Sequence, residues 1–308
     1  MTREQPLLAL VGPTASGKSD AGLQLAPVLD AEICSVDSML VYRGMDIGTA
    51  KPTARERRAV PHHLLDLAAP SERFTVARFQ EAARSVIEGV RARGATPLLV
   101  GGSGLYFRAV ADDLTFPGED TRVRAALEAE ADAAGVGTLY RRLEELDPVA
   151  AAKIEPGNVR RVVRALEVTT ITGTPFSAFA TAWERYDPAR VRVAGIRIPA
   201  TVLAVRIARR LDAMLELGWL EEIERLLAGG FGAWLTSTQA IGYAEFARHL
   251  DGSLSLEEAR EATVRRTKNL ARRQMAWFRR DPRVRWFDAG EGGAAQVVPA
   301  VRSFLEDA

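Results

Sequence analysis

In "LLALVGPTASGKSD", residues 7–20, an apolar run breaks into a glycine-bracketed loop that ends on Lys18 and Ser19. The spacing Gly12-x-x-x-x-Gly17-Lys18-Ser19 is that of a phosphate-holding loop: successive backbone N–H groups wrap anionic oxygens, Lys adds a point charge, and the Ser hydroxyl can ligate magnesium. The flanks agree with that reading. Leu7 to Val11 has the continuous apolar character of a buried strand, and Asp20 to Leu29 reads as a helix whose N-terminus favours negative charge. Only four of the 41 basic residues are lysine (Lys18, Lys51, Lys153 and Lys268), so an ammonium at position 18 runs against the habit of the chain. A compact point charge is therefore required there.

Composition sets the frame around this loop. The chain has 308 residues, 47% of them hydrophobic, enough for a sizeable core in one large domain or two smaller ones. No uncharged apolar run reaches membrane-spanning length, and Met1 to Pro6 is too short and polar for a signal peptide, so a cytoplasmic protein without a membrane partner is expected. The single cysteine, Cys34, excludes an internal disulfide and a cysteine-rich zinc site; in "AEICSV" it reads as a buried small hydrophobe. His62 and His63 face opposite ways if they lie on a strand, and are expected to be structural or pocket-lining. A net charge of +1 gives no bulk signal for nucleic acid, so any such binding needs a local patch.

Strand-like and helix-like segments alternate over the first 110 residues, through Ala31 to Val36, a helix from Val76 to Arg93, and "TPLLVGGS". The expected class is α/β: a parallel sheet covered by helices, with ligands at the carboxyl ends of its strands. Residues 118–185 change to charged, Ala-rich helical patterning without a strand candidate, and are expected to be an all-helical insertion between core segments 1–117 and 186–308. The run "VRVAGIRI", residues 191–198, returns to strand character. Helices are expected after it at Ala200 to Leu217, Leu220 to Ala228, Thr238 to Leu250, and Leu256 to about Arg280.

Asp37 and Ser103 fall at strand ends beside the loop. Asp37 is the nearest carboxylate, available to magnesium through water or as a general base, with a turn cap as the plain alternative. Glycines 101, 102 and 104 allow close backbone approach around Ser103. "VRRTKNLARRQMAWFRR", residues 264–280, carries seven basic residues and no acidic one, interleaved with Trp277 and Phe278. Such a segment suits a nucleic-acid backbone. A second cluster, Arg160, Arg161 and Arg164 with Arg122 and Arg124 upstream, suggests a clamp.

Taken in order, "GPTASGKS", "SVDSMLVYRGMDIGTAKP", "PHHLLDL", "PLLVGGSGLYF", "DPVAAAKI", "RRVVRALEV", "QAIGYAE" and "TKNLARRQMAWFRR" resemble the successive signatures of the bacterial tRNA dimethylallyltransferases (tRNA isopentenyltransferases), from about residue 7 to 287. The resemblance implies a P-loop NTPase-like parallel-sheet core with a helical insertion that grips the tRNA anticodon stem-loop. It implies transfer of a dimethylallyl group from dimethylallyl diphosphate to N6 of adenosine 37, releasing diphosphate, with Mg2+ as cofactor. On that pattern Gly12, Pro13, Thr14, Ala15, Ser16, Gly17, Lys18 and Ser19 hold the diphosphate, and Ser19 ligates the metal. Asp37 matches the family's base, while Thr14 and Arg206 match residues that support the diphosphate; Arg209 and Arg210 stand close to the last.

The family's tRNA-contacting positions fall here on Asp37, Ser38, Met39 and Leu40, then Ser103 and Arg124, then Arg160, Arg161, Val162, Val163 and Arg164. They continue on Gln239, Ala240, Ile241, Gly242, Tyr243 and Ala244, and on Thr267, Lys268, Asn269, Leu270, Ala271, Arg272, Arg273 and Gln274. The target adenine would be flipped out of its stack into a channel whose other end admits the diphosphate. Ser103 and Ser19 replace threonines common in the family and keep the hydroxyl. An asymmetric RNA clamp is compatible with a monomer. A small-molecule or nucleotide kinase is the alternative from another reaction class, and an isopentenyltransferase using free adenylate is a nearer one. A non-catalytic RNA-binding module would leave the loop unexplained.

Overall fold

A computed structural model of the chain describes residues 5–179, 185–234 and 236–307. The stretch 180–184 of the expected insertion and the first four residues lie outside the described part. Two compact units emerge: one of residues 1–113 and 187–308, the other Leu114–Tyr186.

The first unit is built on six parallel strands: β1 (Leu7–Val11), β2 (Ala31–Ser35), β3 (His62–His63), β4 (Thr96–Gly101), β5 (Val191–Arg197) and β6 (Val284–Asp288). Their order across the sheet is β3-β2-β4-β1-β5-β6, which sets the loop-bearing β1 between β4 and β5. Val11 is in register with both Gly101 and Gly195, and Ser35 with Val100, so the strand ends gather along one edge. Strands β3 and β6 are not expected from sequence. The first has two residues, and the second, "VRWFD", interrupts its apolar positions with charge.

Side-chain alternation splits the strands between two apolar layers, as a sheet covered on both faces requires. Leu8, Leu10, Ile33, Leu98, Val100 and Ile196 pack with α1 (Lys18–Leu25) and its surroundings. Ala9, Val11, Cys34, Leu99 and Val193 pack on the other face, joined by Phe79 of α3 (Val76–Ala92) and Phe107 of α4 (Gly104–Ala111), the two helices that follow the short α2 (Ala54–Ala59). Cys34 is fully buried, which pushes its thiol up to about 12, with the Glu32 charge adding and Arg93 opposing. It packs as a small hydrophobe and not as a nucleophile.

The second unit holds α5 (Thr121–Ala134), α6 (Val136–Leu146), α7 (Pro148–Ala151) and α8 (Val159–Thr172) around Leu127, Leu139, Leu143, Val162, Val163 and Leu166. Its polar centre is Glu167, which accepts from Arg124 Nη2 at 2.5 Å, Arg164 Nη1 at 2.8 Å and the Asp120 amide at 3.0 Å. Burial alone would raise this carboxyl; the two guanidiniums and the amide hold it below its ordinary range.

Back in the first unit come α9 (Ala200–Glu216), α10 (Trp219–Ala228), α11 (Tyr243–Leu250), α12 (Leu256–Phe278) and α13 (Val298–Glu306). The helix expected over Thr238 to Leu250 is broken: a 3-10 turn at Ser237–Gln239 precedes Gly242 at φ +96°, and only then does α11 begin. Helix α12 starts where Ser255 and Glu258 cap each other reciprocally, at 3.2 and 2.8 Å.

Candidate active site

The phosphate loop leaves β1 at Gly12, whose Cα lies so near the Ile196 carbonyl that a Cβ would come within 2.5 Å of it. It enters α1 through Gly17 at φ +88°, a left-handed conformation suited to glycine. Ala15 adopts φ +61° without that freedom, local strain of the kind that collects at ligand-holding loops. Ser16 donates its amide to Pro13 O at 3.3 Å, and Lys18 Nζ donates to the same carbonyl at 3.3 Å. Burial pushes the Lys18 ammonium down to about 8; the Asp37 carboxylate opposes the shift and the Arg210 guanidinium adds to it.

Two further strand ends complete this edge. The Val36 carbonyl accepts from the Ser103 amide at 3.3 Å and crowds Gly101 so closely that a Cβ there would meet it at 2.5 Å. These contacts hold the end of β4 against the start of the Asp37 loop. Asp37 Oδ1 accepts from the Met39 amide at 2.9 Å, so the turn-cap reading is true of one oxygen, while the side chain stays half-buried and its second oxygen has no hydrogen-bond partner among the described residues.

Beside these groups opens a cavity of about 1230 Å³. Lys18, Ser19, Arg206 and Arg210 give part of its wall positive charge and a hydroxyl, while Leu23, Ile33, Leu40, Ile47, Leu65, Met214 and Leu217 make another part apolar. Arg206 and Arg210 share one face of α9 at i, i+4 spacing. Arg206 reaches Glu291 O at 3.2 Å and lies against Gly293. Arg209 is exposed and outside the cavity wall, so Arg210 is the second arginine of the site, a choice that sequence leaves open. His62 lines the cavity, whereas His63 pairs with Glu32 at 2.5 Å.

The loop that follows Asp37 is locked from a distance. Glu222 of α10 is buried and its carboxylate accepts from the amides of Asp46, Ile47 and Gly48 at 2.8, 2.8 and 3.2 Å, and from the Tyr243 hydroxyl at 2.6 Å. Trp219 fills the space left by two glycines, Gly48 and Gly242; a Cβ on either would collide with the indole. The segments "DIGTAKP" and "QAIGYAE" are thus two walls around one tryptophan. Lys51, also buried, donates to Tyr42 O, Asp46 and Asp66 at 2.6, 2.6 and 2.7 Å. Neither Glu222 nor Trp219 stands out in the sequence, because on an amphipathic helix a Glu reads as solvent-facing and a Trp as generic core.

Helix α12 and the turn that follows it carry two kinds of residue. Lys268, Arg272, Arg273, Arg279 and Arg280 are exposed and have no acidic partner among the described residues. Arg265 and Arg266 pair with Glu261 and Glu245. Gln274 instead faces inward: its Oε1 accepts from the Thr14 amide at 2.8 Å and its amide nitrogen lies against Gly102. Trp277 packs over Gly104.

Among the positions tied to RNA by resemblance, Val162, Val163, Ala240, Tyr243, Ala271 and Gln274 are therefore buried. Thr267, Leu270, Ile241 and Ala244 are half-buried, while Gln239 and Asn269 are exposed. In the second unit Arg160 and Arg161 are exposed, whereas Arg124 and Arg164 are committed to Glu167.

The IPP transferase family model matches residues 40–281. A tRNA dimethylallyltransferase of Nocardioides sp. is 52% identical over 299 residues, covering 96% of each chain. One from Kineococcus radiotolerans is 50% identical, covering 93% of this chain and 92% of the relative. Among solved structures, the full-length tRNA isopentenylpyrophosphate transferase of Bacillus halodurans superposes with a TM-score of 0.71 at 41% identity, over 99% of this chain and 98% of that one. A eukaryotic dimethylallyltransferase acting on tRNA gives 0.82 at 27% identity, over 99% and 80%.

Proposed function

The chain belongs to the IPP transferase family, and we propose that it is a tRNA-modifying prenyltransferase that moves a dimethylallyl group from dimethylallyl diphosphate to N6 of adenosine 37. One observation carries the reading: a phosphate-loop lysine and two arginines share a cavity with an extended apolar wall, and the half-buried carboxylate Asp37, outside that wall, is near enough to act on the charges of Lys18 and Arg210. A prenyl diphosphate is anionic at one end and hydrocarbon at the other. The apolar stretch Leu40, Ile47, Leu65, Met214 and Leu217 suits a hydrocarbon chain better than a small hydroxylated acceptor, and the kinase alternative is not favoured.

Breaking an allylic C–O bond leaves a delocalised carbocation and places growing negative charge on the diphosphate. Lys18, Arg206, Arg210 and the loop amides other than those of Thr14 and Ser16, which are given to Gln274 and Pro13, are preorganised for that charge. Adenine N6 is a weak nucleophile, since its lone pair is drawn into the ring. Asp37 takes the N6 proton as the new C–N bond forms, with its other oxygen tethered to the Met39 amide.

The residues fit a divalent cation held mainly by the substrate. Among the described residues no group of three His, Cys, Asp or Glu is placed to hold a metal, so its oxygens would come from the diphosphate, Ser19 and water, the arrangement Mg2+ favours. When bound, Mg2+ would neutralise charge on the leaving group. No helix among the described residues is long and apolar enough to cross a membrane; a cytoplasmic site of action matches a tRNA substrate.

The test is mass spectrometry of nucleosides from hypomodified tRNA incubated with the protein, Mg2+ and dimethylallyl diphosphate. Adenosine plus one five-carbon unit, mapped to position 37, is the expected product. Consumption of ATP with a small acceptor and no such nucleoside would overturn the reading.

A further inference from the structure

Two buried hydroxyls at the phosphate-loop edge have no hydrogen-bond partner among the described residues, Ser16 Oγ and Ser35 Oγ. An unpartnered buried hydroxyl costs about 1–3 kcal/mol, so its retention calls for a partner that arrives from outside. Ser35 is 4% exposed and is part of the wall of the cavity that also contains Ser19 and Lys18.

The local geometry brings Ser35 toward the α1 side of the sheet. On β2, Ile33 and Ser35 share a face. Ile33 and Val100 both approach Gly22 of α1, where a Cβ would lie 3.6 Å from Ile33 and 3.3 Å from Val100. Ser19 is one helical turn before Gly22 on the same side of α1, and Ser35 is one strand repeat beyond Ile33, in register with Val100. Moving one step from that contact along each element toward the ligand edge therefore leads to the two serine hydroxyls.

We propose that Ser35 is the second protein hydroxyl of the divalent-cation subsite, its Oγ hydrogen-bonding the water shell of the cation that Ser19 and the diphosphate ligate. This rests on the diphosphate-and-metal reading above. It accounts for a buried, unpartnered hydroxyl at the ligand end of β2, at an edge where no group of three metal-binding side chains occurs among the described residues. The protein then holds the cation through two hydroxyls, with Asp20 on the same wall and the substrate supplying negative charge, and the cation stays only as long as the diphosphate does.

The experiment compares wild type with Ser35→Ala, Ser35→Thr and Ser19→Ala. Mn2+ affinity is read by electron paramagnetic resonance in saturating inorganic diphosphate. Diphosphate affinity in chelator is read by calorimetry, and the thermal midpoint of the ligand-free protein is recorded. Removing an outer-shell partner costs on the order of 10–100-fold in metal affinity. Ser35→Ala is expected to weaken Mn2+ by about tenfold or more, with metal-free diphosphate affinity within about twofold and the thermal midpoint unchanged or raised, because an unpartnered hydroxyl is removed. Ser35→Thr, which keeps the hydroxyl, is expected to hold Mn2+ within about threefold. An unchanged Mn2+ affinity in Ser35→Ala, or an equal fall in metal-free diphosphate affinity, would overturn the assignment. If Ser19→Ala also left Mn2+ binding intact, the metal reading itself would fall, whereas a weakened Ser19→Ala beside a normal Ser35→Ala rejects the role of Ser35 alone.

Discussion

Gln274 Oε1 accepts a hydrogen bond from the backbone N–H of Thr14 at 2.8 Å, across 260 residues of sequence. The helix with the exposed unpaired cations is thereby tied to the loop that would hold the leaving group. Gln274 is buried, and the contact its side chain makes is with the phosphate loop. Gln274→Ala leaves the Thr14 amide without its acceptor and is expected to raise KM for dimethylallyl diphosphate about five- to thirtyfold, from a penalty of about 1–2 kcal/mol. Filter binding should show tRNA affinity within about twofold of wild type; a large drop in tRNA affinity would return Gln274 to direct RNA recognition.

The complementary experiment targets the outer face of α12. Lys268, Arg272 and Arg273 are exposed within two turns of that helix. Replacing all three by Ala should weaken tRNA binding and flatten its salt dependence, lowering the slope of log K against log salt by about 0.7 to 0.9 for each phosphate that is no longer neutralised. KM for the diphosphate donor should stay close to wild type. An unchanged slope would show that these cations face solvent only.

How much of this was legible depended on how local each signal was. The change from apolar run to glycine loop to helix at residues 7–20 involves neighbours only, and the structure has β1, the loop and α1 there. Strand β6 was hidden because Arg285 sits between Val284 and Trp286 and Asp288 ends the strand, charges that an edge position tolerates. Gly242 broke the helix expected over Thr238 to Leu250 for a nonlocal reason: Trp219 fills the place where its side chain would be. Arg160 to Arg164 reads as one basic cluster, yet a buried glutamate three residues after Arg164 captures that side chain and leaves Arg160 and Arg161 outside. Periodicity reports which face is covered and says nothing of which polar partner covers it.

Glu222 is the clearest such partner. Its carboxylate collects three amides and the Tyr243 hydroxyl, whose own ionisation is raised by burial and the adjacent charge. Glu222→Ala removes the acceptor for four donors and is expected to cost about 3–5 kcal/mol, since each buried donor left unsatisfied costs about 1–3 kcal/mol and part is recovered by relaxation. Thermal unfolding measures this, and the tRNA-modifying activity of the folded fraction should drop, since Asp37 to Leu40 precede the released loop. Tyr243→Phe removes one donor and should cost about 1–2 kcal/mol. A destabilisation of less than about 1 kcal/mol in Glu222→Ala would mean that the loop has other anchors strong enough to hold it.

Lys18 sets a pH dependence with a definite sign. Its folded value of about 8 lies below the ordinary 10.5, so between those values the unfolded chain binds more protons and this group's contribution to stability rises with pH. Diphosphate affinity runs the other way. The ammonium is fully present below about 8 and is lost above it, so KM for the donor should rise as pH passes that value. Binding at pH 9 should draw in protons, read by calorimetry in buffers of different ionisation enthalpy, and Lys18→Met should lack that uptake. Equal uptake in the two proteins would assign the proton elsewhere.

Asp37 bears on both the chemistry and that titration. Asp37→Asn keeps an oxygen for the Met39 amide but removes the base, and turnover should fall about 10²- to 10⁴-fold, with tRNA affinity within about twofold. Because the Asp37 charge raises the Lys18 value against the effect of burial, its removal should also move the rise in donor KM to lower pH. A protein that lost turnover without that displacement would place the two charges too far apart to interact. One that kept turnover within about tenfold of wild type would remove Asp37 from the role of base, and the N6 proton would then leave through another acceptor, such as an oxygen of the departing diphosphate.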